Sequence, residues 1–402
     1  MNIWQEALGI EDYVIACQRH LHENPELSDK EEETVAYILQ QLRSHGIECE
    51  DVPQGGVMGY IGKENPGKTV LLRADIDALP MQEDTMNLKQ PKVCVSKRPG
   101  AAHTCGHDTH TAILLGAAAI LKKHENSLPG KVVLYFERGE EQGHGDYYMM
   151  KHIQDNNIHV DGAWGLHIGT GTPAGTVGIR SGGIYAGQTW FAASILGERA
   201  LACGTAVVNS LNTLRMRRIN PFEQFTLAVN KFQFRDGVCR IAGTCRFYDA
   251  DKIGRPAREA VLQIINETLA AYGCTAEKPV TRNAVSRGVI NDPVCCDIAK
   301  QAIGAAIGQD KVLEGDRTMG AESFAVLSTY YPSVFIRLNA GNPEKGMTAG
   351  GHSPQYETDS AAYKTGVAAT VAYAFGFLEN EKPIPFEPFV GDMDEYLASG
   401  RR

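Results

Sequence analysis

Four residues with metal-ligand chemistry fall within eight positions: His103, Cys105, His107 and His110. Imidazole and thiolate are good ligands for zinc and similar divalent ions. A Cys-x-His spacing brings both side chains to one point only where the backbone is extended or looped. Gly106, between Cys105 and His107, permits such a path. The chain has twelve histidines, and none lies between His167 and His352. Glu140-Glu141 is the second signal. Adjacent carboxylates repel, so holding both in a site calls for a cation. One can then ligate while the other takes a proton from water. As a bare pair it fits a solvated surface equally well, but it follows a buried strand and precedes Gly143. His167, between Gly165 and Gly169, is read as the end of a strand. His352 lies in Gly350-Gly351-His352-Ser353-Pro354. Each alone fits a structural histidine. Together with the first two clusters they supply the ligand number of a two-metal site.

The elements that must position these residues can be read from periodicity. Ser28 with Glu31 is a capping-box pattern, followed at helical spacing by Val35, Ile38, Leu39 and Leu42 and ended by Gly46. Val70-Leu71-Leu72 reads as a buried strand running into Arg73 to Pro80. Residues 111–123 read as a buried helix, and residues 131–136 and 163–168 as strands. Polar clusters follow strands, with helices between them. That is the layout of an open α/β sheet with a site at the strand ends. The rhythm changes after Gly183. Strands at 188–196, 226–232 and 240–247 and helices at 203–216 and 258–272 give a β-α-β-β-α order, expected for a small inserted α+β domain. The α/β pattern resumes near Asn291, with a helix at 296–307, a strand at 334–338 and a helix at 360–378. The expected domains are therefore 1–183 and 291–402, interrupted by 184–290.

Bulk properties narrow the classes. The 402 residues are 43% apolar and 22% charged, with net charge −9. Nucleic acid or an anionic membrane would want a basic face, so neither is expected as a partner. The longest apolar run, Ala112 to Leu121, is half of the roughly 20 residues a membrane span needs. The start of the chain carries Glu6, Glu11 and Asp12 and does not read as a signal peptide. Ten scattered cysteines without a CxxC pair fit a reduced set, and a cytoplasmic protein is expected.

At this point the chain resembles the M20 metallopeptidases, in particular their N-acyl-amino-acid amidohydrolase branch (hippurate hydrolase, auxin-conjugate hydrolases). The resemblance rests on Arg19-His20-Leu21-His22 with Pro25-Glu26, Arg73 to Pro80, His103 to Thr111, Glu140-Glu141, Gly165-Leu166-His167, Met319 to Glu322 and His352-Ser353-Pro354. It implies an α/β, zinc-peptidase-like catalytic domain, with helices on both faces of a mixed sheet, and a ferredoxin-like α+β lid. It implies two divalent ions (Zn, Mn, Co or Ni) on Cys105, His107, Glu141, His167 and His352. Glu140 would be the general base, and Asp75 and Asp77 would orient ligating histidines from beneath. The implied reaction is hydrolysis of the amide of a small N-acyl amino acid, by a chain that dimerises through its lid. The sequence also departs from the family. The lid's Gly-Gly-His segment is absent, because Leu196-Gly197-Glu198-Arg199-Ala200 runs straight into a helix. The segment after Phe232 is short, and Glu137-Arg138-Gly139 replaces Gln-Pro-Ala. Losing a positioned oxyanion donor typically costs about 10²–10³ in rate. Two other readings therefore stand beside the first: a metal-binding homologue with impaired catalysis, and a dipeptidase of the same superfamily.

The remaining candidates are read as structural. His103 and His110 support the ligands, and His20 and His22 pack on the first helices. His144 sits at a loop–helix junction, and His152 and His159 are exposed. Cys295-Cys296 is core. Arg215, Arg217 and Arg218 form the basic end of a helix.

Overall fold

The computed structural model describes residues 1–142, 145–277 and 285–390, without the side chains of 215–217. Helices α1 (Ile3–Gly9), α2 (Glu11–Glu23) and α3 (Glu32–Ser44) open the chain. Val35, Ile38 and Leu42 form the buried face of α3, as their spacing predicts. The capping box is not formed. Glu31 is the N-cap residue, but its side chain makes no capping bond; Glu26 Oε2 accepts from the Thr34 amide of the first turn at 2.7 Å. Ser28 Oγ donates instead to Asp77 Oδ2 at 2.6 Å, and Glu31 accepts from the Gly139 amide at 2.8 Å. Long-range partners have displaced the local pattern.

Strands β1 (Glu48–Val52), β2 (Gly56–Ile61) and β3 (Thr69–Asp75) follow, then α4 (His107–Lys123). Helix α4 starts four residues ahead of the expected position, so its first turn carries His107 and His110. Every residue from His107 to Leu121 is buried. A helix buried all round gives no apolar stripe by which to find its polar start. Next come β4 (Lys131–Glu137), α5 (Gly145–Asp155), β5 (Gly162–Pro173) and β6 (Thr176–Ile179). Strand β5 continues past Ile168, so His167 sits within a strand and not at its end. Its tail, Gly169-Thr170-Gly171-Thr172, has no apolar alternation to betray a strand.

Strand β7 (Gly182–Tyr185) leads into β8 (Gly187–Leu196), α6 (Ala200–Arg217), β9 (Phe225–Arg235), β10 (Val238–Phe247), α7 (Arg255–Tyr272) and β11 (Thr275–Ala276). These form an antiparallel sheet in the order β11-β8-β10-β9, in the expected β-α-β-β-α sequence. Alternate residues of β8 are buried against α6 and α7. Phe191, Ile195, Leu211, Ile241, Phe247 and Ile265 belong to this second core. The chain returns through β12 (Val289–Asn291), which pairs antiparallel with β7.

Helix α8 (Pro293–Ile307), β13 (Val312–Glu314), α9 (Ala325–Tyr330), β14 (Ser333–Gly341) and α10 (Tyr363–Glu379) complete the described elements. The main sheet has eight strands, ordered β1-β2-β4-β3-β5-β14-β6-β13. The central neighbours β4, β3, β5 and β14 are parallel, while β1, β2 and the β14–β6 pair are antiparallel. Both faces are covered. Val70 and Leu72 pack in the core shared with α4, α8 and α10, whereas Leu71 packs with Met149 of α5 and Leu327 of α9. Burial on both faces explains why the strand reads as a continuous apolar run. Among the described residues, no helix is long and apolar enough to cross a membrane.

Candidate metal centre

The carboxyl ends of β3 and β4 and the first turn of α4 meet at one point. Gly106 makes that meeting possible. Its φ is 97°, and a Cβ there would lie 2.4 Å from Ile168 Cγ2. His107 Nδ1 lies 3.0 Å from Asp77 Oδ1. A carboxylate only accepts, so Nδ1 carries a proton and Nε2 is the nitrogen turned to the neighbouring ligand candidates. His107 Nε2 is buried and, among the described residues, has no hydrogen-bond partner. His110 is different. Its Nδ1 is 2.6 Å from Asp75 Oδ1, and its Nε2 accepts from the Ile168 amide at 2.9 Å. Both nitrogens are committed, which leaves His110 in a supporting position.

His167 Nδ1 lies 2.8 Å from the Ile168 carbonyl, so Nε2 is turned to Cys105 Sγ at 3.5 Å. The Glu141 amide donates to Asp77 Oδ2 at 3.1 Å, and Glu141 Oε1 lies 3.2 Å from His352 Nε2. His352 is held by its amide, which donates to Thr104 O at 2.8 Å. Its φ of 61° is unusual for a side chain of this size, a strain that tertiary structure must impose. The donor atoms of Cys105, His107 and His167 lie within 4.8 Å of one another. So do those of Cys105, Glu141 and His352, and those of His107, Glu140 and Glu141. Glu140 Oε1 accepts from the Ser323 amide at 3.1 Å. Cys105, Glu140, Glu141, His167 and His352 line one cavity of about 600 Å³.

Beneath them Arg73 is completely buried. It donates to Asp75 at 2.8 Å and Glu137 at 2.8 Å, meets Glu322 at 3.1 Å, and donates to Ser323 Oγ at 2.6 Å. One guanidinium thus ties the carboxylate behind His110 to the residue that holds Glu140.

The electrostatics ask for cations. Burial, and then the charges of Glu322 and Glu141, push Glu140 well above the usual carboxylate range, although His107 and Arg73 pull it down. Burial pushes the Cys105 thiol up to about 12 against the pull of His107. Burial alone would lower His107, but Asp75, Cys105 and Asp77 outweigh it and raise it. His167 is held well below its usual value by burial, with His110 and Arg337 adding to the effect. A thiol, two adjacent carboxylates and the imidazole Nε2 atoms of His107 and His167 form a donor set that divalent ions fit, an incoming cation displacing the extra proton that the acidic surroundings of His107 favour. The unpartnered His107 Nε2 points the same way.

Other candidates lie elsewhere. His103 is buried, and among the described residues neither nitrogen has a partner. It faces a second cavity of about 210 Å³. His22 is more than packing, since it bridges Asp108 at 2.7 Å and Glu83 at 3.0 Å. His20 stacks on Tyr37. His159 is exposed, His152 is partly buried, and Cys295 and Cys296 are core. His144 and the side chains of Arg215 and Arg217 lie outside the described residues. Arg218 bonds Gln263. Sequence reasoning gave no role to Arg337, placed Arg73 only within a family motif, and read Glu31 as part of a helix cap. For Arg73, a charge in a buried strand was the signal. Arg337 carried the same signal in β14.

Comparison with known proteins adds an independent line. Residues 71–375 match the model for peptidase family M20/M25/M40. The chain is 31% identical over 391 residues to thermostable carboxypeptidase 2 of Saccharolobus solfataricus, covering 92% of this chain and 96% of that protein. It is 32% identical over 346 residues to the N-acetyl-L-cysteine deacetylase of Bacillus subtilis, covering 81% and 80%. The structure superposes on a dinuclear metal binding peptidase of family M20 from Bacillus subtilis with a TM-score of 0.80. That pair is 27% identical, covering 92% of this chain and 99% of the other.

Proposed function

The chain belongs to peptidase family M20/M25/M40, and on that premise we propose that it hydrolyses the amide bond of small N-acyl amino acids. Cys105, His107, Glu141, His167 and His352 hold two divalent ions, drawn from Zn, Mn, Co and Ni. Such ions, when bound, would supply Lewis-acid polarisation of the amide carbonyl and a lowered pKa for the attacking water. Glu140 is the general base. Its Oε1 is fixed by the Ser323 amide, which leaves the other oxygen to take the proton of the attacking water. The same carboxyl returns that proton to the leaving amine. The observation that carries this reading is the convergence of Cys105, His107, Glu140, Glu141, His167 and His352 in three overlapping groups. A carboxypeptidase and an N-acetylcysteine deacetylase among the relatives support an amide as the bond attacked.

Residues 1–183 and 291–402 form the catalytic domain in this reading, and 184–290 the lid. The edge strand β9, with Phe232 and Phe234 exposed, suits pairing with a second copy. The ten free cysteines suit a reducing cytoplasm. A second reading is favoured by one observation. No histidine occurs between His167 and His352, so residues 184–290 bring no imidazole to the cavity. On that reading the chain binds metal and hydrolyses poorly, or takes dipeptides.

The test is metal analysis with a panel of N-acyl amino acids and dipeptides. Stoichiometric metal, turnover, and a loss of about 10²–10⁴-fold in Glu140→Gln support the hydrolase. Metal without turnover across the panel supports the second reading. Absence of stoichiometric metal sinks both.

A further inference from the structure

The cavity has a cationic wall beside the candidate ligands. Arg337 of β14 is the register partner of His167 of β5. Neighbouring strands are about 4.8 Å apart, so a guanidinium stands next to an imidazole of the metal centre. Its Nη1 donates to Tyr185 Oη at 3.2 Å. It also lies 3.3 Å from His167 Nδ1, but that nitrogen's proton is committed to Ile168 O. This second contact sets donor against donor. Among the described residues Arg337 has no ion pair. Arg180 and Arg287, which line the same cavity, are paired with Glu314 at 3.3 Å and Asp251 at 2.7 Å.

The seat of Arg337 is specific. A Cβ at position 169 would fall 2.4 Å from its Nε and Nη2. Only glycine at 169 lets the guanidinium lie where it does. A cation so placed gains nothing from bound divalent ions, which repel it. An anion between them satisfies both, and a carboxylate matches the planar fork of guanidinium donors.

We propose that Arg337 binds the free carboxylate of the substrate's amino-acid moiety, and that the enzyme selects N-acyl amino acids with that carboxylate unmodified. The proposal rests on the amidohydrolase reading of the site, but its test does not require turnover. Binding is measured by calorimetry on the metal-loaded Glu140→Gln protein. The probes are N-acetyl-L-alanine, N-acetyl-L-methionine and N-acetyl-L-phenylalanine, each with its carboxamide. A charge-assisted hydrogen bond predicts about 10- to 150-fold tighter binding of the acid than of the amide. Arg337→Met in that background erases the preference, and Arg337→Lys keeps part of it. Gly169→Ala reduces it by moving the guanidinium without removing it. Arg317→Met is the control for general charge. Arg317 lines the same cavity, stacks over Tyr248 and, among the described residues, likewise lacks an ion pair. Its loss leaves the preference in place. Three results overturn the proposal: no preference or binding in the parent protein, a preference that survives Arg337→Met, or equal loss in Arg317→Met. A protein that shows the preference yet turns over nothing contradicts the hydrolase reading and leaves the role of Arg337 standing.

Discussion

Asp77 Oδ1 lies 3.0 Å from His107 Nδ1 and thereby decides which imidazole nitrogen faces the cavity. The other oxygen of Asp77 accepts from Ser28 Oγ and from the Glu141 amide. One buried carboxylate therefore orients a proposed ligand from α4 and fixes the backbone of another after β4. Burial raises its pKa, but the bonds from His107, Ser28 and Glu141 outweigh burial and keep it below the usual value.

Asp77→Ala should weaken metal binding by about 10–100-fold, the usual cost of losing such an outer partner. Competition against a chelator of known affinity reads this directly. Unchanged affinity would remove Asp77 from the account.

Gly106→Ala should destabilise the protein by about 2 kcal/mol or more. A left-handed φ of 97° and a Cβ 2.4 Å from Ile168 Cγ2 act together. Urea unfolding of the metal-free protein measures it. Metal binding should weaken in parallel, because Gly106 lies between Cys105 and His107.

Stability should depend on pH through His22. Burial opposes its charge, but Asp108 and Glu83 outweigh burial and raise its pKa to about 10, from 6.5. That contribution is complete below about pH 6.5 and is lost as pH rises through 10. Glu83 and Asp108 have the opposite sign. Burial raises them, but the His22 bonds outweigh it and depress both. Their contribution is complete above about pH 4.5 and is lost on further acidification. The His22, Asp108 and Glu83 cluster should therefore contribute most to the stability of the metal-free protein between about pH 4.5 and 6.5. His22→Leu should cost about 3–5 kcal/mol at pH 6 and flatten the alkaline decline. A variant with the same pH profile as the parent would contradict this.

Residue types alone marked the candidate ligands, and the family resemblance divided them into ligands, base and supports. Cys105, His107, Glu140-Glu141, His167 and His352 stand out because ligand residues are few and fall beside glycines and strand ends. What could not be read depends on distant partners. Ser28 and Glu31 match a local cap, yet their partners are Asp77 and Gly139. His22 looks like core until Asp108 and Glu83 close around it. Arg337 has no spacing signal, because His167 is 170 positions away. The central strands β3, β4, β5 and β14 were legible because strands buried on both faces read as apolar runs, whereas β1, β2, β6 and β13 were not read. The tail of β5 and the start of α4 were not, since glycines, threonines and histidines there follow no apolar period.

The central claim is that two divalent ions share the donors around Cys105. Anomalous diffraction from metal-loaded crystals tests it most directly. The account predicts two peaks, each about 2.0–2.3 Å from its ligands, drawn from Cys105, His107, Glu141, His167 and His352. Peaks elsewhere, or none among these residues in protein that carries stoichiometric metal, would contradict it.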